Sequence, residues 1–374
     1  MSKLKQLSEA GTAVWLDFVD RKFLAAGGLQ KLVDEDGLTG VTSNPSIFEK
    51  AMGHGDAYDE TLAEYDATHP DAATIDRYEF LAVGDIVAAA DALRPVYDRL
   101  DAKDGYVSLE VSPYISDDTD ATIAEAKKLW RAVDRPNLMI KIPGTLAGGP
   151  AIASTIASGI NVNVTLLFSQ EAYARVAEAY AMGLEERVRQ GEPIDRIASV
   201  ASFFVSRIDA TIDKEIDRRV AEGDSESEAL KAVRGKAAIA NAKLAYRWYQ
   251  DFIRSDRWRA LAEKGAQPQR LLWASTGVKD KAYPDTLYVD TLIGPETVNT
   301  MPQPTMDAFR ERGTVAETLT QGVDKAERTL VEIERLGLDL GGVTGRLVEE
   351  GVASFVKSFD DLMNAIAAKQ PASA

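Results

Sequence analysis

The segment PNLMIKIPGT, residues 136–145, is a short apolar run with one amine near its centre. Leu138, Ile140 and Ile142 alternate with Met139, Lys141 and Pro143. This is the two-residue period of a strand, so Lys141 shares the face opposite the aliphatic one. Burying an ammonium is expensive unless a partner charge offsets it or the proton is given up, which leaves a nucleophilic amine. Two readings of the segment stand at this point: a Schiff-base lysine, or a strand-end lysine that reaches water along its methylene stem.

Working outward, similar short runs recur at 12–18 (TAVWLDF), 39–43 (TGVTS), 107–113 (VSLEVSP), 161–168 (NVNVTLLF), 197–205 (IASVASFFV), 270–276 (RLLWAST) and 286–293 (TLYVDTLI). With 137–143 they make eight candidate strands. Longer amphipathic stretches separate them, such as 119–133 behind capping-type residues at 117–119, and 169–190 opened by Ser169. Alternating strand and helix units in this number predict an α/β chain folded as a single (β/α)8 TIM barrel over 1–374. Two connections are unusually long, about 45–106 and 206–269, and both are rich in helical pattern. We read them as extra helices packed on the barrel exterior after strands 2 and 6. The aromatic group Tyr246, Trp248 and Tyr249 reads as core packing, and the tail at about 369–374, KQPASA, as frayed.

Composition removes several function classes. A formal charge of −16 over 374 residues argues against a general nucleic-acid binder. There is no cysteine, so thiolate catalysis, thiolate metal sites and disulfides are excluded. The only histidines are His54, in a glycine-flanked turn, and His69, before Pro70; both read as surface loop residues. No stretch has membrane-spanning length and the N-terminus lacks a long apolar core, so a cytoplasmic protein is the expectation.

Several strands alternate aliphatic residues with residues capable of chemistry. Val107, Leu109 and Val111 oppose Ser108, Glu110 and Ser112, while Val162, Val164 and Leu166 oppose Asn161, Asn163 and Thr165. Val14, Leu16 and Phe18 oppose Trp15 and Asp17. Helices around a barrel demand an apolar outer strand face, so the polar face points to the axis. Asp17, Asn44, Glu110, Lys141, Asn163 and Thr165 then converge near the C-terminal strand ends, where barrel active sites are built. A structural ion pair is the plainer account of Glu110 with Lys141. It does not explain six inward polar residues, because bulky branched side chains normally fill those positions.

Together the segments VWLDF, GVTSNPSIF, SLEVSP, LMIKIPGT, GINVNVTLLFS, ASFFVSRID and WASTGVK resemble the transaldolase family, in particular its longer bacterial branch. The resemblance implies an eight-stranded barrel with a Schiff-base lysine on strand 4, without cofactor or metal. It implies transfer of a dihydroxyacetone unit from a ketose phosphate (sedoheptulose 7-phosphate or fructose 6-phosphate) to an aldose phosphate, in the non-oxidative pentose phosphate pathway. By resemblance, Lys141 attacks the C2 carbonyl and Asp17 is the base at the C4 hydroxyl. Glu110 with Thr165 would orient a catalytic water. Thr42, Asn44, Asn163 and Ser202 fall among residues near the donor hydroxyls, and Phe204 is similar to a wall residue limiting water access. Arg207 and Ser275 match phosphate-contacting positions. Gly277 stands where many relatives carry a second basic residue, and Lys279 is either a substitute or an exposed loop lysine. An Arg207 to Asp209 surface pair is the alternative account of Arg207. Expected partners are small phosphorylated sugars, with neither nucleic acid nor membrane, and the chain is expected as monomer or homodimer. A fructose 6-phosphate aldolase, which releases free dihydroxyacetone, and a non-catalytic phosphosugar-binding barrel are the competing functions; Asp17 favours the transferase.

Overall fold

In the computed structural model, which describes residues 2–369, eight parallel strands close on one another in sequence order. They are β1 (Thr12–Asp17), β2 (Gly40–Thr42), β3 (Tyr106–Glu110), β4 (Leu138–Pro143), β5 (Val162–Leu167), β6 (Ser199–Phe204), β7 (Arg270–Ala274) and β8 (Thr297–Met301). β1 pairs with β8, so no sheet edge is left open. Every residue of β3, β4, β5 and β6 is buried, since helices cover the outer face and side chains fill the inner one. This is the (β/α)8 barrel that the strand-helix alternation predicts.

The helices start and stop where local chemistry allows. Asp118 accepts from the Ala121 N–H to open Thr119–Val133, and Ser169 accepts from the Ala172 N–H to open Gln170–Gln190. Gly191 ends the latter in the left-handed region at φ 78°, a conformation that costs glycine little. Between β2 and β3 lie helices Pro45–Met52, Asp59–Thr68 and Thr74–Arg99. Between β6 and β7 lie Ser206–Ala221, Ser227–Val233, Ala237–Ile253 and Asp256–Ala262. Tyr246 and Tyr249 are buried, and their hydroxyls donate to Pro295 O and Glu296 Oε2, packing Ala237–Ile253 against the approach to β8.

The eighth strand corrects the sequence reading. Residues 286–293 are not a strand: Leu287–Thr291 is a short helix that buries Tyr288 and Val289, followed by buried Leu292 and Ile293. A short apolar run does not distinguish a buried strand from one helical turn. The true β8, TVNTM, is too polar to stand out, because Thr297 hydrogen-bonds Thr12 and Thr300 hydrogen-bonds Thr42 inside the structure. Both histidines lie on exposed surface.

A polar plug seals the N-terminal end of the barrel. Asp104 accepts from Trp15 Nε1 at 2.9 Å, Thr39 Oγ1 at 3.0 Å and Arg270 Nη1 at 3.1 Å. At the other end, the long helix Leu340–Ala368 lies against Pro45–Met52, Ser206–Ala221 and Thr74–Arg99, and so crosses the barrel mouth. Of the tail read as frayed, residues 370–374 lie outside the described residues; the Lys369 ammonium meets Asp59 Oδ1 at 2.6 Å. No helix among the described residues is long and apolar enough to cross a membrane.

Candidate active site

Lys141 and Glu110 are register partners on β4 and β3. Parallel pairing puts partners on the same face, so both side chains enter the barrel, where Lys141 Nζ is 3.2 Å from Glu110 Oε2. The ammonium also donates to Ser43 O at 3.1 Å and lies 5.8 Å from the centre of the Phe355 ring. Burial pushes the Glu110 carboxyl above the usual glutamate range, against the pull of Lys141. Neither carboxylate oxygen makes a geometrically complete hydrogen bond within the protein, and buried Thr165 Oγ1 has none. Glu110 Oε2 has the Lys141 ion pair, but native interiors seldom leave atoms such as Glu110 Oε1 and Thr165 Oγ1 without partners, so these two mark places where a water or substrate atom is expected to bind.

Asp17 ends β1 beside its register partner Thr42 on β2. Thr42 Oγ1 donates to Asp17 Oδ1 at 2.7 Å and shares a 2.7 Å hydrogen bond with Thr300 Oγ1. Since Thr42 has one proton to give, Thr300 is the donor in the second bond. Burial raises the Asp17 carboxyl above the ordinary aspartate value, while Lys141, Thr42, Lys50 and Arg207 partly restore the charged form. Two carboxylates in different settings thus flank one amine.

On the far side of Lys141 its register partner is Asn163. Asn163 Nδ2 donates to Ser108 Oγ at 2.9 Å and its Oδ1 accepts from Ser202 Oγ at 2.7 Å, which fixes the amide orientation. Just beyond, the β5–β6 register shifts between Val164 and Leu167, and Leu166 adopts φ 59°. A bulky residue is strained there. The Leu166 side chain packs so closely on Gly351 that a Cβ at 351 would come within 2.7 Å of it, tying the bulge to the helix across the mouth.

A cavity of about 320 Å³ opens at these strand ends. It is lined by Asp17, Thr42, Asn44, Lys141, Ser202 and Phe204, and toward its outer side by Arg207, Ser275 and Lys279. Glu110, Asn163 and Thr165 do not line it; they stand behind its wall, Glu110 and Asn163 in contact with residues that do. Asn44 reaches the cavity as the N-cap of Pro45–Met52, its Oδ1 accepting from the Ile47 N–H at 3.0 Å. Arg207 is half-buried under Phe204, with its guanidinium 5.2 Å from the ring centre. It has no ion pair among the described residues: Asp209 is instead turned to the Ala238 N–H at 2.8 Å and the Tyr288 hydroxyl at 3.0 Å. Ser275 holds φ 55° and its Oγ lies 3.0 Å from Ser206 Oγ. Lys279 is exposed, yet it borders the cavity.

Several lining residues escape the sequence reading, Thr300, Lys50 and Phe355 among them. Thr300 is hidden by the misplaced eighth strand. Lys50 lies one turn beyond Ser46 on the helix that Asn44 caps, a spacing that points both toward the same cavity. Phe355 comes from the C-terminal helix, and no local pattern announces that it will meet Lys141.

A closed parallel barrel with a buried amine between two carboxylates, under a cation-rimmed mouth, belongs to the class of barrels whose chemistry is built at the C-terminal strand ends. Residues 14–366 match the family described as transaldolase/fructose-6-phosphate aldolase. The chain is 49% identical over 367 residues to the transaldolase of Thermobifida fusca, covering 98% of each protein. It is 48% identical to transaldolase 1 of Streptomyces avermitilis over 98% of this chain and 95% of that one. With transaldolase 2 of Nostoc sp. the identity is 47% over 99% and 98%. The chain belongs to the transaldolase/fructose-6-phosphate aldolase family.

Proposed function

We propose that this protein is a transaldolase, a transferase of dihydroxyacetone units working through an imine on Lys141. The observation that carries the reading is the Lys141 ammonium, 3.2 Å from Glu110 at the strand ends and open to the cavity that Asp17 also lines. The amine adds to C2 of a ketose phosphate, and loss of water gives an iminium, the electron sink for breaking the C3–C4 bond. Asp17 takes the C4 hydroxyl proton as that bond breaks and returns it when the acceptor aldehyde is attacked. Glu110 and Thr165 hold the water that leaves and later re-enters. Asn44, Thr42 and Ser202 orient the donor hydroxyls, and Asn163 supports them from behind the wall by accepting from Ser202 Oγ at 2.7 Å. Arg207, Ser275 and Lys279 receive the phosphate, the guanidinium by paired hydrogen bonds and the ammonium as a mobile point charge. Phe204 and Phe355 keep bulk water from the waiting three-carbon adduct. Substrates are small phosphorylated sugars, with fructose 6-phosphate or sedoheptulose 7-phosphate as donor and erythrose 4-phosphate or glyceraldehyde 3-phosphate as acceptor. We read 1–374 as one barrel domain acting in the cytoplasm, as monomer or homodimer. Acceptor dependence tests the reaction class: with fructose 6-phosphate alone little dihydroxyacetone should be freed, and added erythrose 4-phosphate should start turnover. Rapid release of dihydroxyacetone without acceptor would make the enzyme an aldolase instead.

A further inference from the structure

A second cavity touches Glu110 without touching Lys141. It holds about 20 Å³, and its wall includes Glu110, Asn44, Tyr78, Ala82, Ser112 and Glu125. That is room for about one water, which needs ~10–15 Å³ and two or more polar partners. Ser112, Glu125 and Phe359 also border a surface groove of about 740 Å³, so the small cavity lies between Glu110 and the exterior. Both ends are chemically competent. Glu110 is 7% exposed with neither oxygen fully hydrogen-bonded, and Glu125 accepts from the Ser112 N–H at 2.9 Å through Oε1 alone. Burial raises both carboxyls, and the Tyr78 phenol is held up by burial and by the nearby carboxylates of Glu125, Glu110 and Glu79. Glu79 itself is paired with Lys128 at 2.6 Å.

We propose that Glu125 is the outer station of a proton relay that runs from solvent through one cavity water to Glu110, separate from the sugar entrance. It rests on the reading of Lys141 as the imine-forming residue. The need for it follows from the reaction. With burial favouring neutral Glu110, the Lys141 ammonium can give up the proton it must lose before attack only if Glu110 first passes its own proton outward through the relay and then takes that of Lys141. As the carbinolamine collapses, protonated Glu110 gives its proton to the departing hydroxyl, the C–O bond breaks, water forms, and the nitrogen lone pair completes the iminium. Glu110 is left as a carboxylate while the sugar fills the main cavity beneath the helix Leu340–Ala368. Glu125 restores the proton through the intervening water and is itself refilled from the groove. When the product imine is hydrolysed, the same proton travels outward. Glu125 acts through Glu110 and is a positioning and relay residue.

Rapid mixing of the full chain with fructose 6-phosphate, quenched with borohydride at successive times, measures imine formation on Lys141. Glu125→Gln keeps the acceptor for the Ser112 N–H and removes the titratable carboxyl group. Ala82→Val fills the cavity and leaves every carboxylate in place. Each should slow imine formation about tenfold or more, within the range of a lost proton-transfer route, while KM for the donor stays within about twofold. Glu125→Gln should also straighten the proton inventory of that step in mixed H2O and D2O, a change that a purely structural residue would not cause. Wild-type rates of imine formation in either variant would overturn the relay. Failure to trap any adduct on Lys141 in the unmodified protein would overturn the parent reading instead.

Discussion

Glu110 Oε2 and Lys141 Nζ face each other at 3.2 Å as register partners on adjacent parallel strands, with neither side chain more than 5% exposed. Removing one member of a buried pair is costlier than replacing both. Lys141→Met should therefore lower stability by about 1–3 kcal/mol, below the ~3–5 kcal/mol of a fully charged orphan, because burial already favours neutral Glu110. The double variant Lys141→Met, Glu110→Gln should recover most of that loss and remain inactive. Denaturant unfolding of the four proteins in the cycle measures the coupling.

Asp17 is needed as a carboxylate, and burial holds its carboxyl above the ordinary aspartate value. The rate falls as pH drops through that raised value, so the acidic limb of kcat/KM should lie above the range of an exposed aspartate. Stability has the opposite sign. The folded state favours the protonated form, so folding free energy is lost as pH rises from the unfolded aspartate value through the raised one. Asp17→Asn should accordingly be nearly inactive yet more resistant to heat at neutral pH than the unmodified protein, a comparison made by activity assay and thermal melt.

The Thr300, Thr42 and Asp17 chain adds a finer control. Thr42→Val deletes the 2.7 Å bond that favours ionised Asp17. Its acidic limb should move to higher pH, and stability should fall by about 1 kcal/mol for the lost buried hydrogen bond. A pH profile of kcat/KM beside that of the unmodified enzyme checks both direction and size.

At the outer end of the cavity, Arg207 is half-buried and free of any ion pair among the described residues, whereas Lys279 is exposed. A charged hydrogen bond contributes about 1.5–3 kcal/mol. Arg207→Ala should raise KM for fructose 6-phosphate roughly 10- to 100-fold, and Lys279→Ala only a few-fold at most, since exposed ionic contacts contribute about 1 kcal/mol or less. Unphosphorylated fructose should be almost indifferent to both changes, which assigns the effect to the phosphate.

Away from the site, Asp209 is buried and its carboxyl is pushed up to about 6 by desolvation, against the Ala238 N–H and the Tyr288 hydroxyl that favour its charge. Because the folded value is the higher one, stability should decline as pH rises from about 4 to about 6, by about 3 kcal/mol if the whole displacement is expressed. Asp209→Asn should flatten that slope in urea unfolding measured across the same window.

The barrel and its inner face are legible in the chain because alternation is a local signal. Val107 to Val111 and Leu138 to Ile142 tell which side of β3 and β4 is apolar, and hence that Glu110 and Lys141 share the other. β8 is not legible for the same reason: Thr297, Asn299 and Thr300 hydrogen-bond Thr12, Thr276 and Thr42, contacts that exist only after the barrel closes. Long-range contacts are equally silent. Phe355 meets Lys141, and Gly351 meets Leu166, only because a C-terminal helix folds back across the mouth. Lys50 was accessible in principle, through its helical spacing from Ser46, but a lone lysine on a helix reads first as solvated surface.

The most direct measurement is the site of the covalent adduct. Borohydride added to the enzyme with fructose 6-phosphate and no acceptor, followed by proteolysis and mass spectrometry, should find one reduced three-carbon unit on Lys141. Absence of an adduct, or an adduct on Lys50 or Lys279 with Lys141 unmodified, would contradict the account.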